Sequence, residues 1–487
     1  MTNTKLKNLI VEDNLSIKYA LKVIDLSGLG VCFVVKKKKL LNIITDGDIR
    51  RALLKGSRLS DNINKIKSKK NYITVKENYD FLDLQKKISK YKIIPIINES
   101  DEIIDYANEK RFRQLPQSEP SFKGNELKYV SEAIKSGWIS SIGKYVNVFQ
   151  EKFSTFVKNK YCLTTSSGTT AIQLAIATLK LKPKDEIIVP DYTFVSPINS
   201  IIHSNCKPVL VDIDNKNLCL SLNSIKKAVT KNTKVIIIVH LYGNTPELGS
   251  IMRFCKKKNI KVIEDCAEAF GTYYRGKHVG NFGHFGTFSF FGNKTISTGE
   301  GGMITFKKKE DYLLAKKLRD HGMRQDKKYW HDEVGFNFRM TNLQAAIGCA
   351  QIEKANQFIN RKIQIFKRYN LKLKNLKFVN MAQETLKIKN SHWLTFILVK
   401  NNSIRDKLLL FLTSKGIEVR SGFYSAHQMG IYKNFKSKKI DYANSIKISS
   451  SIITLPSSVS LKNEEINYIC KLIKFFFLNK SISTIDK

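Results

Sequence analysis

An acid and an amine stand at the ends of two apolar runs in the middle of this chain. The run Val262-Ile263 leads to Glu264 and Asp265. A second run, Phe285 to Phe291, leads to Lys294 in a turn closed by Gly299, Gly301 and Gly302. Side chains just past the strand ends of an α/β sheet face the crevice where such folds take ligands. One chemistry uses both groups. Pyridoxal phosphate needs a lysine amine to hold its aldehyde covalently, and an acid to keep its ring nitrogen protonated so that the ring accepts electrons. A lone lysine after a core strand is ordinarily a surface residue. Here Gly292-Asn293-Lys294-Thr295 and Thr298-Gly299-Glu300-Gly301-Gly302 follow a run with aromatics on both sides of Ser289, which narrows the reading to the cofactor.

A phosphate needs its own cradle. Ser166-Ser167-Gly168-Thr169-Thr170 follows the strand-like Tyr161 to Thr165 and opens a helix with a small apolar face, Ala171, Leu174 and Ala175. A serine cap and a glycine at a helix start let an anion approach the N–H groups of the first turn. Any serine-capped helix offers this much; in register with the lysine motif it becomes the expected phosphate cradle, with Gly168 and Thr169 at its centre.

From about residue 120 to the 470s the chain resembles the DegT/DnrJ/EryC1 sugar aminotransferases, whose core reads E-D-x-A-[QE]-x-x-G, then F-S-F-x-x-x-K, then T-G-E-G-G. The resemblance implies a type I, pyridoxal-phosphate-dependent aminotransferase fold with a mostly parallel central sheet and a small C-terminal α/β domain. It implies that Lys294 carries the cofactor, Asp265 faces the pyridine nitrogen, Ser289 binds the phosphate and Phe194 lies against the ring. Glu268 falls where many relatives have glutamine beside the ring hydroxyl, and a carboxylate there must share a proton or meet a cation. The family places the asparagine of G-x-N-x-R in the neighbouring subunit's site, here Asn337, which implies a homodimer or higher homo-oligomer. Trp138, His331, Arg339 and Arg420 are the substrate-binding candidates. Arg420, Tyr424 and His427 lie in the segment that borders the sugar site, where the family's T-R-P reads Val419-Arg420-Ser421.

Glu268, the lysine motif and the Tyr329 to Asn342 stretch resemble the perosamine-synthase branch, which aminates C4 of a GDP-linked 4-keto-6-deoxy sugar with L-glutamate for surface polysaccharide, including lipopolysaccharide O-antigen. Two alternatives stay open: a UDP- or dTDP-keto-sugar aminotransferase acting at C3 or C4, and a non-enzymatic nucleotide-sensing regulator. Lys294 speaks against the regulator, and against the family's dehydratases, which carry histidine there.

The elements that must position these groups follow from pattern. β-branched runs (EIIVP, KPVLVD, KVIIIV) alternate with amphipathic segments between residues 186 and 258, which argues a parallel sheet covered on both faces. The expected domains are 1–115, 119–365 and 366–487, with Pro116 and Pro120 marking the first linker. Residues 1–115 show a doubled helix-strand-strand-helix pattern; Ile17, Ala20, Leu21 and Ile24 share one helical face. This doubling resembles a CBS-domain pair. Thr45 and Asp48 fit the Thr-x-x-Asp that holds a nucleotide ribose in that family, so one adenine nucleotide per chain is expected, with a purely structural dimerisation module as the alternative. The tail Ser481 to Lys487 reads as loose.

Composition sets the outer bounds. The 487 residues are 42% hydrophobic and 10% aromatic, which suits several packed cores. The formal charge of +41 comes from lysines spread along the chain in short runs, so it reads as compositional bias, and no nucleic-acid partner is expected. Eight cysteines are scattered without a C-x-x-C pair, so neither a disulfide framework nor a metal site is indicated. The N-terminal MTNTKLKNLIVEDN has no signal-peptide apolar region and no run approaches a membrane span, so a cytoplasmic protein with no membrane partner is expected.

Overall fold

The structure is a computed structural model that describes residues 4–66, 68, 72–109, 111–324, 326–382 and 386–478. The Ser481 to Lys487 tail lies outside the described residues. The chain divides into two compact units, Met1–Leu115 with Thr413–Gly416, and Pro116–Leu412 with Ile417–Lys487.

In the first unit a short motif occurs twice. Strand Ile10–Glu12 runs parallel to Val31–Lys36, which pairs antiparallel with Lys39–Thr45. Strands Val75–Lys76, Ile93–Ile97 and Ile103–Asn108 repeat the arrangement, and each hairpin slips register at the same step, Val34/Val35 and Ile96/Ile97. A helix precedes each hairpin, Ile17–Ser27 and Phe81–Tyr91. The first buries Ile17, Ala20, Val23 and Ile24; Val23 takes the core position expected of Leu21, which sits half-buried on the other side of that face. Phe33, Val35 and Ile43 from one copy pack with Ile103 and Tyr106 from the other.

The second unit is built on a seven-stranded sheet. Its spatial order is Cys162–Thr165, Gly302–Phe306, Phe285–Ser289, Lys261–Asp265, Thr233–Val239, Glu186–Pro190 and Lys207–Val211. All neighbours pair in parallel except Gly302–Phe306, which is antiparallel to both of its own. The expected sheet is therefore present, with one reversed strand that the glycine-rich run 299–302 had concealed. That reversal returns the chain directly from the Lys294 turn to the sheet, so the turn is held from both ends. Helices cover both faces. Aromatics bind one layer to the sheet: Phe153 is fully buried and lies 5.0 to 5.8 Å from the rings of Phe270, Phe288 and Phe290.

Residues beyond the long helix Ala355–Leu373 form a small four-stranded antiparallel sheet, Asn380–Met381, Thr395–Leu398, Ile452–Leu455 and Arg420–Ser421. The closing helix Asn463–Leu478 docks Ile466, Ile469 and Ile473 inward. Among the described residues no helix is long and apolar enough to cross a membrane. All eight cysteines are free and buried.

Truncating Phe153 to alanine should cost about 3–5 kcal/mol of stability, because the cavity opens among rings that cannot all collapse into it. Denaturant unfolding followed by tryptophan emission measures this; a loss under about 1 kcal/mol would mean that this layer is not a packed core.

Candidate active site

Strand Lys261–Asp265 sends neighbouring side chains to opposite faces, and this separates the two acids that the sequence left together. Glu264 is wholly buried and accepts the backbone N–H groups of Gly280 (2.9 Å), Phe282 (2.7 Å) and Gly283 (2.7 Å). His240 Nε2 lies 3.1 Å from its other side. Burial alone would raise this carboxyl, but the His240 pairing and the Gly283 and Gly280 N–H groups overcome it and hold Glu264 below its ordinary range. Glu264 thus fastens the 280–283 loop that feeds the next strand.

Asp265 faces the crevice. It is 6% exposed, one oxygen accepts the Ala267 N–H at 3.0 Å, and burial pushes its carboxyl up. One turn on, Glu268 accepts the Tyr242 N–H at 2.9 Å through Oε2, while Oε1 lies 3.7 Å from Lys294 Nζ. Burial raises Glu268 to about 7, against the pull of the Lys294 amine. Burial lowers Lys294, against Glu268 and Asp265, which favour its charged form. Glu268 and Lys294 therefore bias each other's protonation, and Asp265 adds to the field at the amine.

Aromatic walls keep this cluster dry. Lys294 Nζ is 3.8 Å from the centre of the Trp393 ring. Tyr242 stacks on Trp393 and on Phe423, each at 6.1 Å with planes within 14°. Tyr242 reaches this place through a left-handed backbone at φ 53°, a conformation a bulky residue adopts only under the grip of its surroundings.

The helix start is capped as the sequence suggests. Ser167 caps helix Gly168–Thr178 through the Thr170 N–H. A Cβ on Gly168 would stand 2.7 Å from Ser289 Cβ, so only glycine lets the helix start meet the strand end. The Ser196 hydroxyl donates to Thr169 Oγ1 at 2.7 Å. Phe194, 56% exposed, tilts against Phe423 with ring centres 5.9 Å apart. A helix start beside a serine for the phosphate, a buried acid for the ring nitrogen, an amine for the aldehyde and an unspent aromatic face together fit pyridoxal phosphate.

Other expected site residues are engaged elsewhere. Arg339 pairs with Asp320 at 2.8 Å and donates to Asn337 Oδ1, and Asn337 itself is exposed. His331 Nδ1 lies 2.9 Å from the His321 carbonyl, and Arg420 pairs with Glu418 at 2.5 Å. Trp138 is 58% exposed, with its carbonyl held by Asn342 Nδ2. The loop that carries Arg420, Tyr424 and His427 is tied to the sheet by Asp191: its carboxylate takes the His427 N–H and faces His427 Nδ1, both at 2.8 Å. Sequence reasoning passed over Tyr242 and Trp393. Each follows or precedes a strand, and an aromatic at a strand end was the available signal.

These positions coincide with a known family. Residues 120–474 match the DegT/DnrJ/EryC1/StrS aminotransferase family. The chain belongs to that family. Its members depend on pyridoxal phosphate, and this member is a pyridoxal-phosphate-dependent sugar aminotransferase. The chain is 40% identical over 368 residues to the GDP-perosamine synthase of Escherichia coli O157:H7, spanning 76% of this chain and 100% of that one. It is 40% identical over 367 residues to the GDP-perosamine synthase of Vibrio cholerae, 74% and 99% respectively. Among solved structures, the pyridoxal phosphate form of the putative sugar aminotransferase Spr1654 from Streptococcus pneumoniae superposes with a TM-score of 0.71 at 25% identity. That likeness covers 74% of this chain and 98% of the other. Residues before 120 lie outside the family match.

Glu268 gives this aminotransferase a pH signature. A carboxyl raised in the folded state to about 7 favours folding while protonated, and that contribution is lost as pH rises from its ordinary 4.5 through about 7. In cofactor-free protein, Glu268→Gln should therefore melt higher than the parent above neutrality, with the gap closing toward acid. A gap that is constant across this range, measured by calorimetry, would mean that Glu268 does not titrate there.

Proposed function

We propose that this enzyme transfers the amino group of L-glutamate to the C4 keto group of a nucleotide-linked 4-keto-6-deoxy sugar, as a GDP-perosamine synthase does. The observation that carries the reading is Lys294, its side chain mostly shielded and its Nζ 3.7 Å from Glu268 Oε1, in a chain that spans the full length of a GDP-perosamine synthase at 40% identity. Bound pyridoxal phosphate supplies the electron sink for moving an amino group between two carbon skeletons.

The chain's own residues supply the rest. Lys294 Nζ would hold the cofactor and, as a free amine, would move the proton at the donor's Cα; burial lowers its proton affinity, which favours the neutral form that a base must have. Glu268 Oε1, 3.7 Å away, takes up or returns that proton. Asp265, a buried carboxylate, would answer the positive ring and keep the proton on its nitrogen. Gly168, Thr169 and Ser289 hold the phosphate at the helix start. Tyr242, Trp393 and Phe423 exclude water, which strengthens each of these interactions. Trp138, His331 and Arg420 are proposed sugar and nucleotide contacts, and Asn337 with Arg339 are proposed to serve the site of a second copy in a homodimer. The free cysteines and the lack of a spanning helix among the described residues support a cytoplasmic location.

The assay is a panel of GDP-, UDP- and dTDP-linked 4-keto sugars with glutamate, read by mass spectrometry. Amination of the GDP-linked sugar at C4 is expected, and Lys294→Ala should abolish it in a folded protein. Amination of a UDP- or dTDP-linked sugar alone would replace the substrate assignment; full activity in Lys294→Ala would sink the mechanism.

In the N-terminal unit, repeated topology supports a CBS-type pair. Thr45 and Asp48 there form a capping box for helix Asp46–Leu54: the Thr45 hydroxyl donates to Asp48 Oδ2 at 2.6 Å and accepts the Asp48 N–H at 3.1 Å. Arg51 pairs with the other Asp48 oxygen. A ribose would have to take Asp48 from these partners. Titration calorimetry of the full chain with AMP and ATP decides: one site per chain, lost in Asp48→Ala, is the result expected of a nucleotide site, and no heat leaves the pair a helix cap.

A further inference from the structure

Lys362 is 3% exposed, on the buried face of the helix Ala355–Leu373. Lysine is among the residues least often buried whole, and burying its amine is costly without partners. Its Nζ donates to the backbone carbonyls of Trp393 at 2.9 Å and Ser457 at 3.0 Å. Those residues flank the antiparallel strands Thr395–Leu398 and Ile452–Leu455, where Thr395 faces Leu455. The amine thus closes the end of that ladder.

Trp393 is held at three points. Lys362 takes its carbonyl, its indole N–H donates to the Asn293 carbonyl at 2.8 Å, and its ring face lies 3.8 Å from Lys294 Nζ. The Asn293 carbonyl also accepts from the Ser118 hydroxyl at 3.0 Å. One residue therefore joins a buried amine in the helix to the reactive amine in the crevice. A methionine or leucine would fill the same space without the cost of desolvating an amine, so the two N–H bonds are what distinguish lysine here. A neutral amine has two N–H groups and meets two carbonyls; an ammonium would leave a third N–H in a dry setting. Burial, with Lys294 nearby, lowers Lys362 to about 7, in agreement with that count.

We propose that Lys362 is a positioning residue of the active site, which fixes the Trp393 ring against the Lys294 amine by holding the Trp393 and Ser457 carbonyls. The proposal rests on the reading that Lys294 carries the cofactor. The ring limits the swing of the Lys294 side chain and presents Nζ toward Glu268 and the crevice.

The test uses full-length, cofactor-free protein mixed with pyridoxal phosphate and quenched with borohydride at timed intervals. Peptide mass spectrometry counts the modified fraction of Lys294 in the parent, in Lys362→Met and in Lys362→Gln. Methionine keeps length and loses both N–H groups; glutamine keeps two. Modification of Lys294 should slow by roughly tenfold or more in the methionine variant, as misplacement of a reacting group implies, and should recover most of the loss in the glutamine variant. Parent-like rates in Lys362→Met, or a glutamine variant no faster than the methionine one, would overturn the proposal. If Lys362→Met gives no cooperatively melting protein, Trp393→Leu takes its place, because the effect is routed through that ring: a comparable slowing supports the role and a parent-like rate refutes it. Failure of the parent to be modified at Lys294 at all would remove the cofactor reading, and the positioning role with it.

Discussion

Two acids and one amine share a space from which water is largely excluded, and their mutual balance is the constraint on which the rest of the site depends. Alone, each charged group would be driven neutral by desolvation. Together, Lys294 stabilises the anionic forms of Glu268 and Asp265, and they stabilise its cation. The result is an amine and two acids whose proton affinities burial shifts toward one another, which suits a residue that must be nucleophile at one moment and base at another. An acidic group that could not be reprotonated, or an amine that stayed charged, would serve only one half of such a cycle.

Backbone architecture makes that balance hold. Strand alternation assigns Glu264 to the loop at Gly280–Gly283 and leaves Asp265 for the crevice. The reversed strand Gly302–Phe306 returns the Lys294 turn to the sheet, and Gly168 lets the phosphate helix approach Ser289. From beyond helix Ala355–Leu373 come Trp393 and the loop bearing Phe423, the latter tied down by the Asp191–His427 pair. Asp265 and Lys294 thus follow strands of the large sheet, while two of the aromatic rings around them come from a later part of the chain.

Much of this was legible in sequence because it rests on short-range rules. Alternating β-branched runs and amphipathic segments foretell a covered parallel sheet. Lys294, Asp265 and the Ser167-Gly168 cap are each read from residue type at a strand end or helix start. What escaped depends on contacts between distant segments. The reversed strand was hidden because Gly302-Met303-Ile304-Thr305-Phe306 has the composition of any core strand, and direction is not written in composition. In the N-terminal helix, Leu21 and Val23 flank the core face on opposite sides, and packing chose Val23 over Leu21. Lys362 lies in a helix dense with lysine and arginine, where its type points to solvent; only the two carbonyls brought by Trp393 and Ser457 reveal otherwise. Arg339 and Arg420, which resemblance assigns to a ligand, pair within the chain with Asp320 and Glu418.

The account turns on which amine bonds the cofactor, because Lys362 is a second amine whose proton affinity burial lowers. Borohydride reduction of the enzyme purified with pyridoxal phosphate, followed by peptide mapping, locates that bond directly. A reduced cofactor confined to the peptide containing Lys294 is the expected result. A cofactor found on Lys362 or distributed over surface lysines, with Lys294 unmodified, would contradict it.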